Sequence, residues 1–272
     1  MTTADMGPDA ARERRKIKCV QKMKAIMTNY YIDAKTAADQ GKQVAWITSG
    51  GPVEPLIAMD VIPVYPENHA AMIGASKMGA DLCRKSEEMG YAPDLCSYAR
   101  ADIACAPVDG GPIGGLPRPD MLVCCNNICG TVLKWYEAQA RFFEVPLFIL
   151  DTPFCHTEFS AEARRYVRRQ IDEYIYFLEE HCGRSFDRER MREVGRLSIE
   201  GQRLWQAVLD TTTHKPAPMS AFDAFFHLAL IVTLRGTQTV VDYYTELLRE
   251  MRARIAAGIG AVAQEDYRLL WD

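Results

Sequence analysis

Val44-Ala45-Trp46-Ile47-Thr48 is a short apolar run that ends in Ser49-Gly50-Gly51-Pro52, a string of turn formers. Such a run fits a strand buried on both faces, and the break fits the loop that leaves its carboxyl end. A helical stretch over 53–59 and a second extended run, Val61-Ile62-Pro63-Val64-Tyr65-Pro66, follow at once. Met121-Leu122-Val123-Cys124-Cys125 and Leu147-Phe148-Ile149-Leu150 repeat the texture, with a helix expected over 131–143 between them. Strands that are apolar throughout and alternate with helices predict an α/β fold: a parallel sheet with flanking helices, Rossmann- or flavodoxin-like.

Outward from this centre, residues 10–40 carry helix formers closed by Gly41, and one helix is expected over about 68–89. Gly90-Tyr91-Ala92-Pro93-Asp94 breaks the chain before a helix over 97–104, and 106–119 reads as a loop. After Asp151 the strands stop. Val167, Ile171, Tyr174 and Leu178 recur at helical spacing with Ser160 as N-cap, and Val240, Tyr244, Leu247, Met251 and Ile255 do the same before Gly258. Ser220 with Asp223 forms a capping box for a helix through Leu234. The expected organisation is an N-terminal helical segment over 1–42, an α/β domain over 43–155 and a mainly helical region over 156–272.

The chain has 272 residues, of which 48% are hydrophobic and 25% charged, enough to bury a core without disulfides. Lys+Arg 32 against Asp+Glu 36 leaves a net charge of -4, which supplies no basic excess for nucleic acid. No apolar run approaches the roughly 20 residues that span a bilayer, and no signal-peptide core precedes residue 19, so a cytoplasmic location is expected. There, nine cysteines stay reduced and read as small hydrophobes, metal ligands or reactive thiols.

Ligands of an open α/β sheet bind beyond the carboxyl ends of the strands. Ser49-Gly50-Gly51, Glu67 and Cys125-Asn126-Asn127-Ile128-Cys129 occupy those positions. Gly50 and Gly51 would let backbone approach a ligand or make a tight turn, but G-x-G-x-x-G is absent. Adjacent residues on a strand face opposite ways, so at most one of Cys124 and Cys125 turns toward a cleft. Cys129 and Cys96 each stand at an expected helix start, where the dipole favours the thiolate that ligates metal. Two such sulfurs suit a soft centre, an iron–sulfur cluster or zinc. Spacing alone favours packed thiols over a metal site, since no C-x-x-C is present and buried free cysteines are common. The five histidines form no ligand spacing.

Several segments taken in order go further than spacing. Val44–Ser49, Val64-Tyr65-Pro66-Glu67-Asn68, Asp94-Leu95-Cys96-Ser97-Tyr98-Ala99-Arg100, the run 124–129 with Lys134-Trp135-Tyr136-Glu137, residues 146–152, Gly201–Trp205 and Pro218–Asp223 together resemble the 2-hydroxyacyl-CoA dehydratase and benzoyl-CoA reductase family. The likeness covers nearly the whole chain and looks like the alpha-type dehydratase subunit. It implies a lyase of anaerobic metabolism with a 4Fe-4S cluster held by three cysteines, of which Cys96 and Cys129 match the first two. The third lies in a second α/β domain, expected to be absent because the sequence stops at Trp271-Asp272 where such subunits continue. Ser49 and Glu67 match the serine and glutamate beside the cluster, and favour dehydratase over reductase.

The resemblance further implies an acyl-CoA substrate, a homologous second subunit and a separate ATP-dependent 4Fe-4S activator protein. The absence of G-x-x-x-x-G-K-[ST] agrees with ATP being used elsewhere. The implied chemistry adds a low-potential electron to the thioester carbonyl; the ketyl radical anion expels the adjacent hydroxyl, the β-hydrogen becomes acidic, and the electron is returned. A benzoyl-CoA reductase-type or double-cubane reductase subunit is the near alternative, and a non-catalytic binding module with packed cysteines the distant one.

Overall fold

The computed structural model describes residues 13–106 and 110–269. Positions 107–109 of the expected loop and the outermost residues of the two terminal segments lie outside that range. The chain divides into two compact units, one of Tyr30–Arg192, the other of the described residues up to Asn29 together with those from Glu193 onward.

In the first unit, β1 (Val44–Ile47), β2 (Ile62–Val64), β3 (Met121–Cys125) and β4 (Leu147–Leu150) form one parallel sheet in the order β2-β1-β3-β4. The expected parallel sheet is therefore present. All four residues of β1 and all five of β3 are buried, which is why the sequence shows no polar alternation there. Trp46, Leu122 and Cys124 pack one face against Ala99 and Ile103 of α5 (Ser97–Cys105) and Val132, Trp135 and Tyr136 of α6 (Gly130–Phe143). On the other face Phe148, paired with Val123, stacks on Tyr174 of α7 (Ala161–Cys182), with ring centroids 5.2 Å apart. That contact draws α7 into the α/β unit, so the unit runs past the boundary at 155 that the loss of strands suggested.

Between β1 and β2 lies α2 (Glu54–Ala58); between β2 and β3 lie α3 (Pro66–Ala75), α4 (Gly79–Glu88) and α5. The single helix expected over 68–89 is thus two. Lys77 takes a left-handed backbone, φ 61, and the Met78 N–H turns back to the Ile73 carbonyl at 3.1 Å, which closes α3 before α4 begins. Pro66, read as the end of a strand, is instead the first turn of α3, where its missing N–H costs nothing.

The second unit is helical: the first part of α1 (Cys19–Lys35), most of α8 (Arg188–Asp210), α9 (Ala221–Thr233) and α10 (Gln238–Ala256). Trp205, Val208, Leu230, Val240, Tyr244, Leu247 and Met251 are its core. The Tyr244 hydroxyl accepts from the Ile231 N–H and donates to the His227 carbonyl, at 3.0 and 2.8 Å. Both expected caps form: Ser160 accepts from the Ala163 N–H, and Ser220 with Asp223 completes a reciprocal box. No helix among the described residues is long and apolar enough to cross a membrane.

Leu122 is fully buried at the centre of the sheet, so Leu122→Ala is expected to lower stability by about 2–5 kcal/mol. Ser220→Ala removes a cap and is expected to cost about 1 kcal/mol. Urea unfolding of the two variants checks the ranking; equal losses would contradict it.

Candidate functional site

The strand order fixes where a ligand belongs. From β1 the chain crosses one way to β2, then returns past β1 to β3, so the switch point lies between the carboxyl ends of β1 and β3. Ser49 leaves β1 at this point and Asn126 leaves β3. Gly51 folds the first loop back on its own strand: its N–H donates to the Thr48 carbonyl at 2.8 Å, and a Cβ there would lie 2.8 Å from Ile47 Cγ1. Close packing therefore requires glycine at 51, while Gly50 faces open space.

Glu67 sits in the first turn of α3, where the helix dipole favours a carboxylate. The Ser49 N–H donates to its Oε1 at 3.2 Å and the Tyr136 hydroxyl to its Oε2 at 3.1 Å. The Ser49 hydroxyl reaches Asn68 Oδ1 at 3.3 Å. Residues at the end of β1, in α3 and in α6 thus meet on one carboxylate. Burial pushes the Glu67 carboxyl above its ordinary range, and its hydrogen bonds with backbone and Tyr136 pull it part of the way back. Tyr136 belongs to one of the sequence motifs, yet nothing in the sequence marks its hydroxyl as Glu67's partner; that contact is long-range and needs the fold.

Cys96 and Cys129 are the N-cap residues of α5 and α6, and neither side chain is spent on capping. Both are exposed, as a ligand thiol at a helix start must be. Cys124 and Cys125 are both buried, so neither opens to solvent; burial pushes the Cys124 thiol up to about 12 and the Cys125 thiol upward too. Glu67 and Cys129 both lie near enough to Cys124 to act on its charge. Asn126 ties the β3 loop to the end of β4: its side-chain carbonyl accepts from the Thr152 N–H at 2.9 Å and its amide donates to Asp151.

The structure therefore joins Ser49 to Glu67 directly, and Cys129 opens the helix whose Tyr136 bonds the same carboxylate. Cys96 has no bonded contact with these three among the described residues, and no cluster of three or more His, Cys, Asp or Glu side chains there could close around a metal. The donor set, two free thiols at two helix starts, fits an iron–sulfur cluster in kind and would supply two of its ligands.

Exposed thiols at two helix starts and a half-buried glutamate at the carboxyl edge of a parallel sheet define an α/β protein whose ligand position is the switch point. The sequence profile of 2-hydroxyglutaryl-CoA dehydratase, D-component, matches residues 48–272, and the chain belongs to that family. It is 34% identical over 267 residues to the (R)-phenyllactyl-CoA dehydratase alpha subunit of Clostridium sporogenes, covering 97% of this chain and 65% of that one. Identity is again 34%, over 250 residues, to the (R)-2-hydroxyisocaproyl-CoA dehydratase alpha subunit of Clostridioides difficile, covering 91% and 61%. A benzoyl-CoA reductase subunit of Thauera aromatica is 28% identical over 284 residues, covering 98% and 64%. The chain thus spans slightly under two thirds of the length of these relatives.

A carboxyl whose pKa is raised by folding costs stability when ionised. The cost is absent below the unfolded pKa and complete above the folded one. Glu67→Gln is therefore expected to unfold at a higher temperature than the wild type at neutral pH, with the gain vanishing in acid. A variant less stable at neutral pH would contradict this.

Proposed function

We propose that this chain is the cluster-binding subunit of an (R)-2-hydroxyacyl-CoA dehydratase, a hydro-lyase that forms a 2-enoyl-CoA through a ketyl radical started by a low-potential electron. The reading rests on family membership, and the observation that carries it is the contact of Ser49 with Glu67 at the switch point. Its partners are a homologous second subunit and an ATP-dependent 4Fe-4S activator, and it acts in the cytoplasm of an anaerobe. Cys96 and Cys129, with a third sulfur from beyond this chain, would hold a 4Fe-4S cluster, which would supply one-electron transfer and Lewis acidity.

The chain's own residues do the rest. Glu67 is a proton-handling group: its raised pKa brings it nearer the working pH, and Tyr136 and the Ser49 N–H fix its oxygens. Ser49 offers its hydroxyl beside that carboxylate, as donor or acceptor to the substrate's oxygen. A benzoyl-CoA reductase-type or double-cubane reductase role is the second reading, favoured by the Thauera relative. It ranks below the first because Ser49 and Glu67, which mark the dehydratases, are in contact here. A non-catalytic binding module is disfavoured by two free thiols at helix starts that neither cap nor pack.

Assay of the anaerobic complex with activator and ATP separates the readings: dehydration of a 2-hydroxyacyl-CoA is expected, and ring reduction without dehydration would overturn the proposal. Ser49→Ala is expected to lower turnover by about 10²-fold with the iron spectrum retained; full turnover would remove its role. Tyr136→Phe takes away a hydrogen bond that favours the ionised carboxyl, so the acid limb of the pH–rate profile is expected to move upward. An unmoved limb would detach Glu67 from the rate.

A further inference from the structure

Asp102, in α5, is a carboxylate buried beneath the site. Its Oδ1 accepts from His69 Nδ1 of α3 at 3.0 Å, and its Oδ2 accepts from Trp135 Nε1 and Gln139 Nε2 of α6, both at 2.9 Å. All four side chains are at most 4% exposed. These three helices are the ones that carry Glu67, Cys96 and Cys129.

The register of the bonds gives them meaning. Cys105, at the last turn of α5, and Phe143, at the last turn of α6, line one small cavity together with Asp102 and His69, so the two helices run in the same direction. Asp102 is the sixth residue after Cys96, and Trp135 the sixth after Cys129. At 1.5 Å of rise per residue Cys96 stands about 9 Å above Asp102, and Cys129 about 9 Å above Trp135 and about 15 Å above Gln139, so both caps lie toward the same end of the helix pair. Gln139, one turn below Trp135, donates to the same oxygen and prevents α6 from sliding. The bond to His69 fixes α3 two residues past Glu67.

We infer that Asp102 is a positioning residue: its hydrogen bonds to His69, Trp135 and Gln139 set the three helices that carry Glu67, Cys96 and Cys129 in the register that brings the two sulfurs to one end of the helix pair. The inference rests on the reading of those cysteines as ligands of one cluster. The choice of aspartate follows from the donors around it. Three ring and amide nitrogens converge on two oxygens, and a carboxylate accepts from all of them with no change in the His69 ring, whereas an asparagine whose amino group faced His69 would need the other imidazole tautomer.

The test reads sulfur placement instead of turnover. The full chain, freed of iron by a chelator, is treated with a short thiol-bridging reagent, and the peptide linked through Cys96 and Cys129 is quantified by mass spectrometry. Asp102→Leu, which can accept from none of the three, is expected to lower its yield about tenfold, since ångström misplacement is enough to stop such a reaction. Single-thiol alkylation of Cys96 and Cys129 should stay unchanged, and buried Cys124 and Cys125 should stay slow, which reports an intact fold. Should Asp102→Leu fail that fold criterion, Trp135→Phe, which removes one donor and keeps a ring, is expected to give a smaller drop. Undiminished linkage in a folded variant overturns the role of Asp102 alone, whereas absence of the link in wild type overturns the ligand reading and this inference with it.

Discussion

The parallel pairing of β1 with β3 is the constraint on which the rest depends. Ala45, Trp46 and Ile47 lie against Met121, Leu122 and Val123, although the partners stand far apart in sequence. Because the chain visits β2 on one side before returning to β3 on the other, two loops end up facing each other across a gap that no crossover covers. The apolar content of both strands drives the pairing, and their burial leaves the carboxyl ends as the place where polar chemistry is tolerated.

That chemistry is organised by two carboxylates drawn away from water. Glu67 and Asp102 are each held by donors from more than one element, and the field of Asp102 adds to the burial that keeps Glu67 reluctant to ionise. A desolvated charge survives only when its hydrogen bonds are complete. Here the bonds that meet this requirement also lock the elements bearing the site, so the energetic demand of burial and the geometric demand of the site are met by the same contacts.

Much of the α/β unit was legible in the sequence because strands buried on both faces are apolar throughout, and the two serine caps because they act within one turn. Ser49, Glu67, Cys96 and Cys129 stood out by position at strand ends and helix starts. Other features were not legible, for separate reasons. The break at Lys77 depends on a left-handed residue that no glycine announces. The membership of α7 in the sheet unit depends on Phe148 finding Tyr174 across the intervening loop. Asp102 looked like any helical acid; its role exists only when His69, Trp135 and Gln139, 33 to 37 residues away, converge on it.

The proposal stands on two cysteines, at the N-cap positions of α5 and α6, holding iron. The most direct measurement is iron and acid-labile sulfide, with the paramagnetic resonance spectrum, on the anaerobically purified complex of this chain and on its Cys96→Ser and Cys129→Ser forms. The account predicts that each substitution removes the iron assigned to this chain while the fold persists. Full iron and an unchanged spectrum in both variants would contradict it.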